Sequence, residues 1–332
     1  MIILYVMELP QNTDTKSVNP FPFNNLFLIK GYVTGKNEFW MYVFGIIAAF
    51  LGYFLFQMIM ILPLINAAQA NGVSMGEITS NPNVLFDPEK VGMNKSLLLA
   101  LMMGMFVFTM LFFWMAIKYV QQKTFTSIIT GFEKVRWKRY FFSFAIWGSL
   151  ITLLTVGSYL LSPQDIEVHF NASQFFVLLI VAVVFIPVQT ATEELIFRGY
   201  LIQGFALLFK NGFIPLIITS VLFGLMHASN PEAKAHGLLI MMPYYILFGA
   251  FLAILTLLDE GAELAMGIHC ANNLVSSLLV TSKNSVLQTD AIFYTSTENP
   301  GQEFITWIVM ASICFFILYK KYKLSNWKLL IR

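Results

Sequence analysis

The chain has 332 residues, 58% of them hydrophobic and only 11% charged, and its 20 basic against 18 acidic residues leave a formal net charge of +2 at pH 7. An ordinary water-soluble domain carries about 25% charged residues, so this composition, with a mean hydropathy of +0.71, excludes a soluble globule and points to a polytopic membrane protein. A charge balance this near zero makes no case for a nucleic-acid partner, and none is expected.

Residues 1–38 read as a polar tail holding Lys16, Lys30 and Lys36. The apolar patch at 1–9 lacks the basic region and small-residue cleavage site of a signal peptide, and Met7 offers an alternative start. Apolar stretches of about 20 residues follow, each long enough for a membrane helix. They run over 39–62, 96–117, 140–161, 173–192 (continued by 195–209), 212–228, 238–258, 262–279 and 304–319. The expected fold class is therefore all-α: a polytopic membrane helix bundle of about eight transmembrane helices. Residues 39–320 form one integral membrane domain and 321–332 a basic tail, with no soluble domain or internal repeat. The polar stretches at 66–95 and 281–303 read as connectors.

Eight spans put both ends on one side. Lys118, Lys123, Lys134, Arg136, Lys138 and Arg139 share that side with Lys320, Lys321, Lys323, Lys328 and Arg332, whereas the opposite loops hold only Lys90, Lys95, Lys234 and Lys283. The positive-inside rule then places both termini in the cytoplasm of a multi-pass cell-membrane protein. Trp114, Trp137, Trp147, Trp307 and Trp327 fall within or just beyond helix ends and are expected as interfacial anchors. Cys270 and Cys314 lie in apolar segments, so no disulfide framework is implied.

The fourth span ends in Glu193, Glu194 and Arg198. A charge at membrane depth costs roughly 2.5–3.5 kcal/mol even on lenient scales, so these groups need partners, water or a function. Glu194 and Arg198 stand at i and i+4, acid first, the favourable order for an ion pair. That leaves Glu193, about 100° round the helix, with no evident local partner. Pro187 removes a backbone hydrogen bond just before it and is expected to kink the helix. On the fifth span Phe223 and His227 are one turn apart, followed by Asn230, which reads as a cap or turn residue before Pro231. On the seventh, His269 and Asn273 repeat the i, i+4 spacing. One bundle has one interior, so these three helices are expected to aim their polar groups into a shared pocket. His169 and His236 lie in connectors and read as solvated.

Glu193-Glu194-Leu-Ile-Phe-Arg198, then Phe223-Gly-Leu-Met-His227, then His269-Cys-Ala-Asn-Asn273 resemble, in order, the E-E-x-x-x-R, F-x-x-x-H and H-x-x-x-N/D motifs of one family. It comprises the intramembrane glutamate proteases related to type II CAAX prenyl endopeptidases and bacteriocin-processing or self-immunity proteins. The likeness covers roughly residues 140–280, and the motifs show no departure from the pattern. It implies an intramembrane endopeptidase in which Glu193 is the general base, His227 helps hold and deprotonate the water, and His269 and Asn273 are oxyanion donors. Glu194 and Arg198 would form a supporting pair, with Phe223 lining the pocket or simply packing. The implied partners are membrane lipid and a peptide or lipidated protein substrate, without a cofactor. Three other readings stay open. Glu193, His227 and His269 could form a two-His, one-carboxylate Zn²⁺ site. Cys270 could be a nucleophile, although it points about 100° away from its neighbour His269. The buried ionisable groups could instead serve a transporter or a non-catalytic immunity protein.

Overall fold

In the computed structural model the structure describes residues 21 and 24–330. The apolar patch, the alternative start, Lys16 and Arg332 lie outside the described residues. Eight principal helices stand where the apolar stretches are: α1 Phe39–Ala70, α2 Lys95–Val120, α3 Trp137–Leu161, α4 Ala172–Phe209, α5 Phe213–Met226, α6 Leu238–Asp259, α7 Glu263–Leu279 and α8 Pro300–Tyr322. The chain is thus a helical membrane bundle. Short polar side chains start several of these helices. Asn94 accepts from Ser96 N and Leu97 N, Asn171 from Gln174 N, and Asn299 from Gln302 N, each satisfying a backbone donor the helix leaves unpaired.

Six of the eight are long and apolar enough to cross a membrane; α5, with 14 residues, and α7, with 17, are shorter. At 1.5 Å per residue they reach about 21 and 25 Å, short of a hydrocarbon core of about 30 Å. For α7 the reason is its position. Glu263 to Ala271 are all buried, and the helix packs against α3, α4 and α6. A helix enclosed by protein needs no lipid-compatible surface, so α7 can carry His269, Asn272, Asn273, Ser276 and Ser277. In the other direction, α1 outruns its expected end by eight residues. Leu64 and Ala68 are fully buried beneath the 73–91 segment, against Val73, Ile78, Val84 and Leu85. Tertiary burial, not hydropathy alone, sets where that helix stops.

Close approach of α3 and α7 is set by Gly267. A Cβ there would collide with the Tyr140 carbonyl oxygen and with Ser143 Oγ, and that hydroxyl donates to the Leu264 carbonyl across the interface at 3.0 Å. Small residues that let backbones meet are the usual means of packing helices in lipid. The corner between α6 and α7 is clamped from outside. Arg136 donates through N, Nε and Nη2 to the buried Glu263 carboxylate at 3.0, 2.9 and 2.6 Å, and Nη2 also lies 3.0 Å from Asp259 Oδ2. Arg139 pairs with the same aspartate. These two arginines thus tie the start of α3 to the end of α6 and the start of α7.

At the opposite end a three-stranded sheet ties the loops together. Its strands are β1 Ile166–Val168, β2 Val280–Thr281 and β3 Phe293–Thr295, with β3 central, antiparallel to β1 and parallel to β2. His236 is not simply solvated, because its Nε2 lies 2.7 Å from Glu298 Oε2. Nor are all the tryptophans interfacial. Trp137 and Trp327 are exposed, but Trp147 is wholly buried and Trp307 nearly so.

Gly267→Ala should cost about 1–3 kcal/mol through overpacking, read as a lower Tm of the detergent-purified protein. An unchanged Tm would mean that α3 and α7 do not meet there.

Candidate active site

Glu194 and Arg198 form the buried floor of the site. Both are fully excluded from solvent, and Arg198 Nη1 donates to Glu194 Oε1 at 2.9 Å. Arg198 Nη2 reaches the Gly249 carbonyl on α6 at 3.3 Å, and the guanidinium lies 4.1 Å from the Phe223 ring centroid, a cation–π contact. The same Glu194 oxygen takes a second bond, from His269 Nδ1 on α7 at 2.7 Å. A carboxylate paired with arginine accepts and does not donate, so His269 carries its hydrogen on Nδ1 and turns Nε2 toward Glu193, whose Oε2 is 3.7 Å away. Glu194 is therefore more than the partner of Arg198: it orients the histidine.

Glu193 lies on the adjoining face of α4. Its Oε1 accepts from Gln189 Nε2 at 2.7 Å, while its buried Oε2 has no hydrogen-bond partner. The local partner absent from the sequence reading is thus Gln189, one turn earlier; the i, i+4 spacing of an amide and a carboxylate was the available signal. Immediately after the two glutamates the backbone widens into a π-helical turn over Leu195–Leu201, an insertion frequent at functional sites. The helix runs through Pro187 unbroken.

α7 and α5 supply the facing groups. Asn273 Nδ2 donates to Gln189 Oε1 at 3.0 Å and lies 3.5 Å from His269 Nε2. Asn273 Oδ1 accepts from Asn272 Nδ2 at 3.1 Å, and Asn272 Oδ1 accepts from the Trp147 indole at 3.1 Å. Neither Asn272 nor Trp147 was anticipated: one is masked by its neighbour in the motif, the other by an apolar span. His227 is the first residue past α5 and half-buried. Its Nδ1 is 2.7 Å from the Phe223 carbonyl oxygen, which only accepts, so Nε2 is left to accept in the neutral ring. The ring stacks on Tyr245, with centroids 4.9 Å apart. Phe223 touches His227, His269 and Arg198 at once. Asn230 directly precedes the short helix Pro231–His236, without a capping bond from its side chain.

Glu193, His227, His269, Asn273, Phe223, Gln189 and Asn272 all line one cavity of about 1600 Å³. Its walls include Val43, Ile47 and Phe50 of α1 and Leu222 and Leu225 of α5, all accessible apolar side chains. The cavity is therefore apolar over much of its wall. Glu194 and Arg198 sit behind it, and Cys270 is buried away from its lining. Among the described residues, no group of three or more His, Cys, Asp or Glu side chains is disposed to hold a metal ion. His269 nonetheless has the outer acceptor, Glu194, that a metal-binding histidine would need.

A family model described as Rce1-like, type II CAAX prenyl endopeptidase Rce1-like, matches residues 172–275, the segment that carries all three motifs. The chain is also 30% identical over 274 residues to the uncharacterized protein YyaK of Bacillus subtilis strain 168, covering 82% of this chain and 88% of the relative. No solved structure matches significantly.

Removing one partner of a buried ion pair costs about 3–5 kcal/mol. Glu194→Gln should therefore lower the Tm strongly, whereas Glu193→Gln, which keeps the Gln189 contact within reach, should lower it little. Equal Tm values for the two variants would contradict this division of roles.

Proposed function

The chain belongs to the Rce1-like family of type II CAAX prenyl endopeptidases, and from that premise we propose that it is an intramembrane endopeptidase in which Glu193 activates water. The observation that carries this reading is the partnerless Oε2 of Glu193, a residue that lines the cavity, 3.7 Å from His269 Nε2. A water beside these two atoms can bond to both, and a positioned carboxylate is a suitable general base.

The steps follow from the chain's own groups. Glu193 takes a proton from the water, held also by His227 Nε2, and the hydroxide equivalent adds to the scissile carbonyl carbon. With His269 doubly protonated from the outset, its Nδ1–H on Glu194 and its Nε2–H toward Glu193, the oxyanion faces that Nε2–H and the second N–H of Asn273. Glu193 then returns its proton to the amide nitrogen as the C–N bond breaks. Arg198, bound to Glu194, keeps that carboxylate from competing with Glu193 for the water.

The apolar side chains along the cavity wall, Val43, Ile47, Phe50, Leu222 and Leu225 among them, support a substrate with a membrane-embedded or lipidated end, such as a prenylated peptide. We place both termini in the cytoplasm, on the side richest in lysine and arginine, and read the reaction as needing no metal.

The test is cleavage of a prenylated CAAX-ended peptide, and of its unprenylated counterpart, by detergent-purified protein with chelator present. Glu193→Gln should abolish turnover. Asn273→Ala should lower kcat by about 10²–10³, the usual cost of one oxyanion donor, with KM little changed. Full activity of Glu193→Gln, or loss of wild-type activity on chelation, would refute the mechanism.

A further inference from the structure

Four hydrogen bonds join a core tryptophan to the carboxylate of Glu193. Trp147 Nε1 donates to Asn272 Oδ1 at 3.1 Å, Asn272 Nδ2 to Asn273 Oδ1 at 3.1 Å, Asn273 Nδ2 to Gln189 Oε1 at 3.0 Å, and Gln189 Nε2 to Glu193 Oε1 at 2.7 Å. The series crosses three helices, from α3 through α7 to α4. Its three interior members are amides, which hold a donor and an acceptor and could run in either direction. Its two ends cannot reverse: an indole N–H only donates, and an ionised carboxylate only accepts.

We propose that Trp147 is a positioning residue for the base. Resting on the reading of Glu193 given above, the role is indirect, because the indole is separated from the reacting atoms by three amides. By donating to Asn272 it selects one of that amide's two orientations, and each following amide is then fixed by the one before. Gln189 must present N–H, not C=O, to Glu193. That engages Oε1 and leaves Oε2 as the oxygen without a partner in the protein. The same direction turns the Asn273 amide so that its nitrogen, not its oxygen, faces His269 Nε2 and the place of the oxyanion. Reversal at any link would set oxygen against oxygen, at Glu193 or at the substrate carbonyl.

The anchor is rigid. Trp147 is wholly buried and packs against the rings of Phe251 and Phe248 at centroid distances of 5.9 and 6.5 Å, so close-packed neighbours oppose any turn of its N–H. Polar networks of this kind act as units, because each bond polarises and orients the next. A tryptophan that merely needed a partner for its N–H would accept any carbonyl. This one addresses an amide whose other end continues to the base.

The experiment uses the detergent-purified full chain and a peptide that the wild type cleaves, with Glu193→Gln measured beside Trp147→Phe, Asn272→Ala and the double variant of the last two. Trp147→Phe keeps a ring in the core and removes only the donor. Asn272 is half-buried at the cavity wall, so Asn272→Ala carries the test if the tryptophan variant does not fold. Each single change should lower kcat by about 10–10²-fold, the scale of an ångström-level misplacement, with KM unchanged. The double variant should lose no more than the worse single one, since both break the same series. Wild-type kcat in both single variants, losses that multiply in the double, or a rise in KM in place of the fall in kcat would overturn the proposal while leaving Glu193 as base. Cleavage that survives Glu193→Gln would overturn both.

Discussion

One carboxylate oxygen, Glu194 Oε1, holds the site together. It accepts Arg198 at 2.9 Å from its own helix and His269 at 2.7 Å from α7, and all three residues are buried. A buried charge with too few partners is expensive, and one that is paired and hydrogen-bonded is not, so the two helices are drawn to a single relative height. The rest of the bundle conforms to that demand. Gly267 lets α3 come close behind α7, Gly249 bares a carbonyl for Arg198, and Arg136 clamps the α6–α7 corner through Glu263.

Adjacent residues on a helix point about 100° apart, and the two glutamates use that difference. Glu194 turns into a dry layer behind the cavity, where its Oε1 accepts from both Arg198 and His269 and its Oε2 is buried without a hydrogen-bond partner. Glu193 turns into the cavity, where one of its oxygens is committed and the other is not. The π-helical turn that follows them carries Arg198 within the same continuous helix. Ionisable groups inside the bundle are thus either paired behind the cavity or turned into it, and the protein family to which the chain belongs hydrolyses peptide bonds.

Most of the architecture was legible in the sequence because hydropathy reports which stretches lipid will accept. It read less well where protein replaces lipid as the surroundings. Enclosed α7 is short and polar, α1 runs on to Ala70 under its own loop cluster, and Trp147 sits in the core and not at an interface. Within the site, pairs four residues apart on one helix were visible, as with Glu194 and Arg198, although Gln189 and Glu193 have the same spacing and were passed over. Bonds between helices were not visible. His269 and Glu194 are 75 positions apart and Asn273 and Gln189 are 84 apart, and no local spacing encodes such contacts. Motif order could say that these residues share a pocket, but not which atom each offers.

The shared carboxylate makes a statement about one hydrogen atom. In ¹⁵N spectra of histidine-labelled protein, with His269 assigned by a His269→Gln variant among the four histidines of the chain, Nδ1 of His269 should resonate as a protonated, pyrrole-type nitrogen. It should lose that signature, or its fixed position, in Glu194→Gln. A bare, pyridine-type Nδ1 in the wild-type protein would mean that Glu194 does not hold the histidine, and the arrangement built upon it would fail.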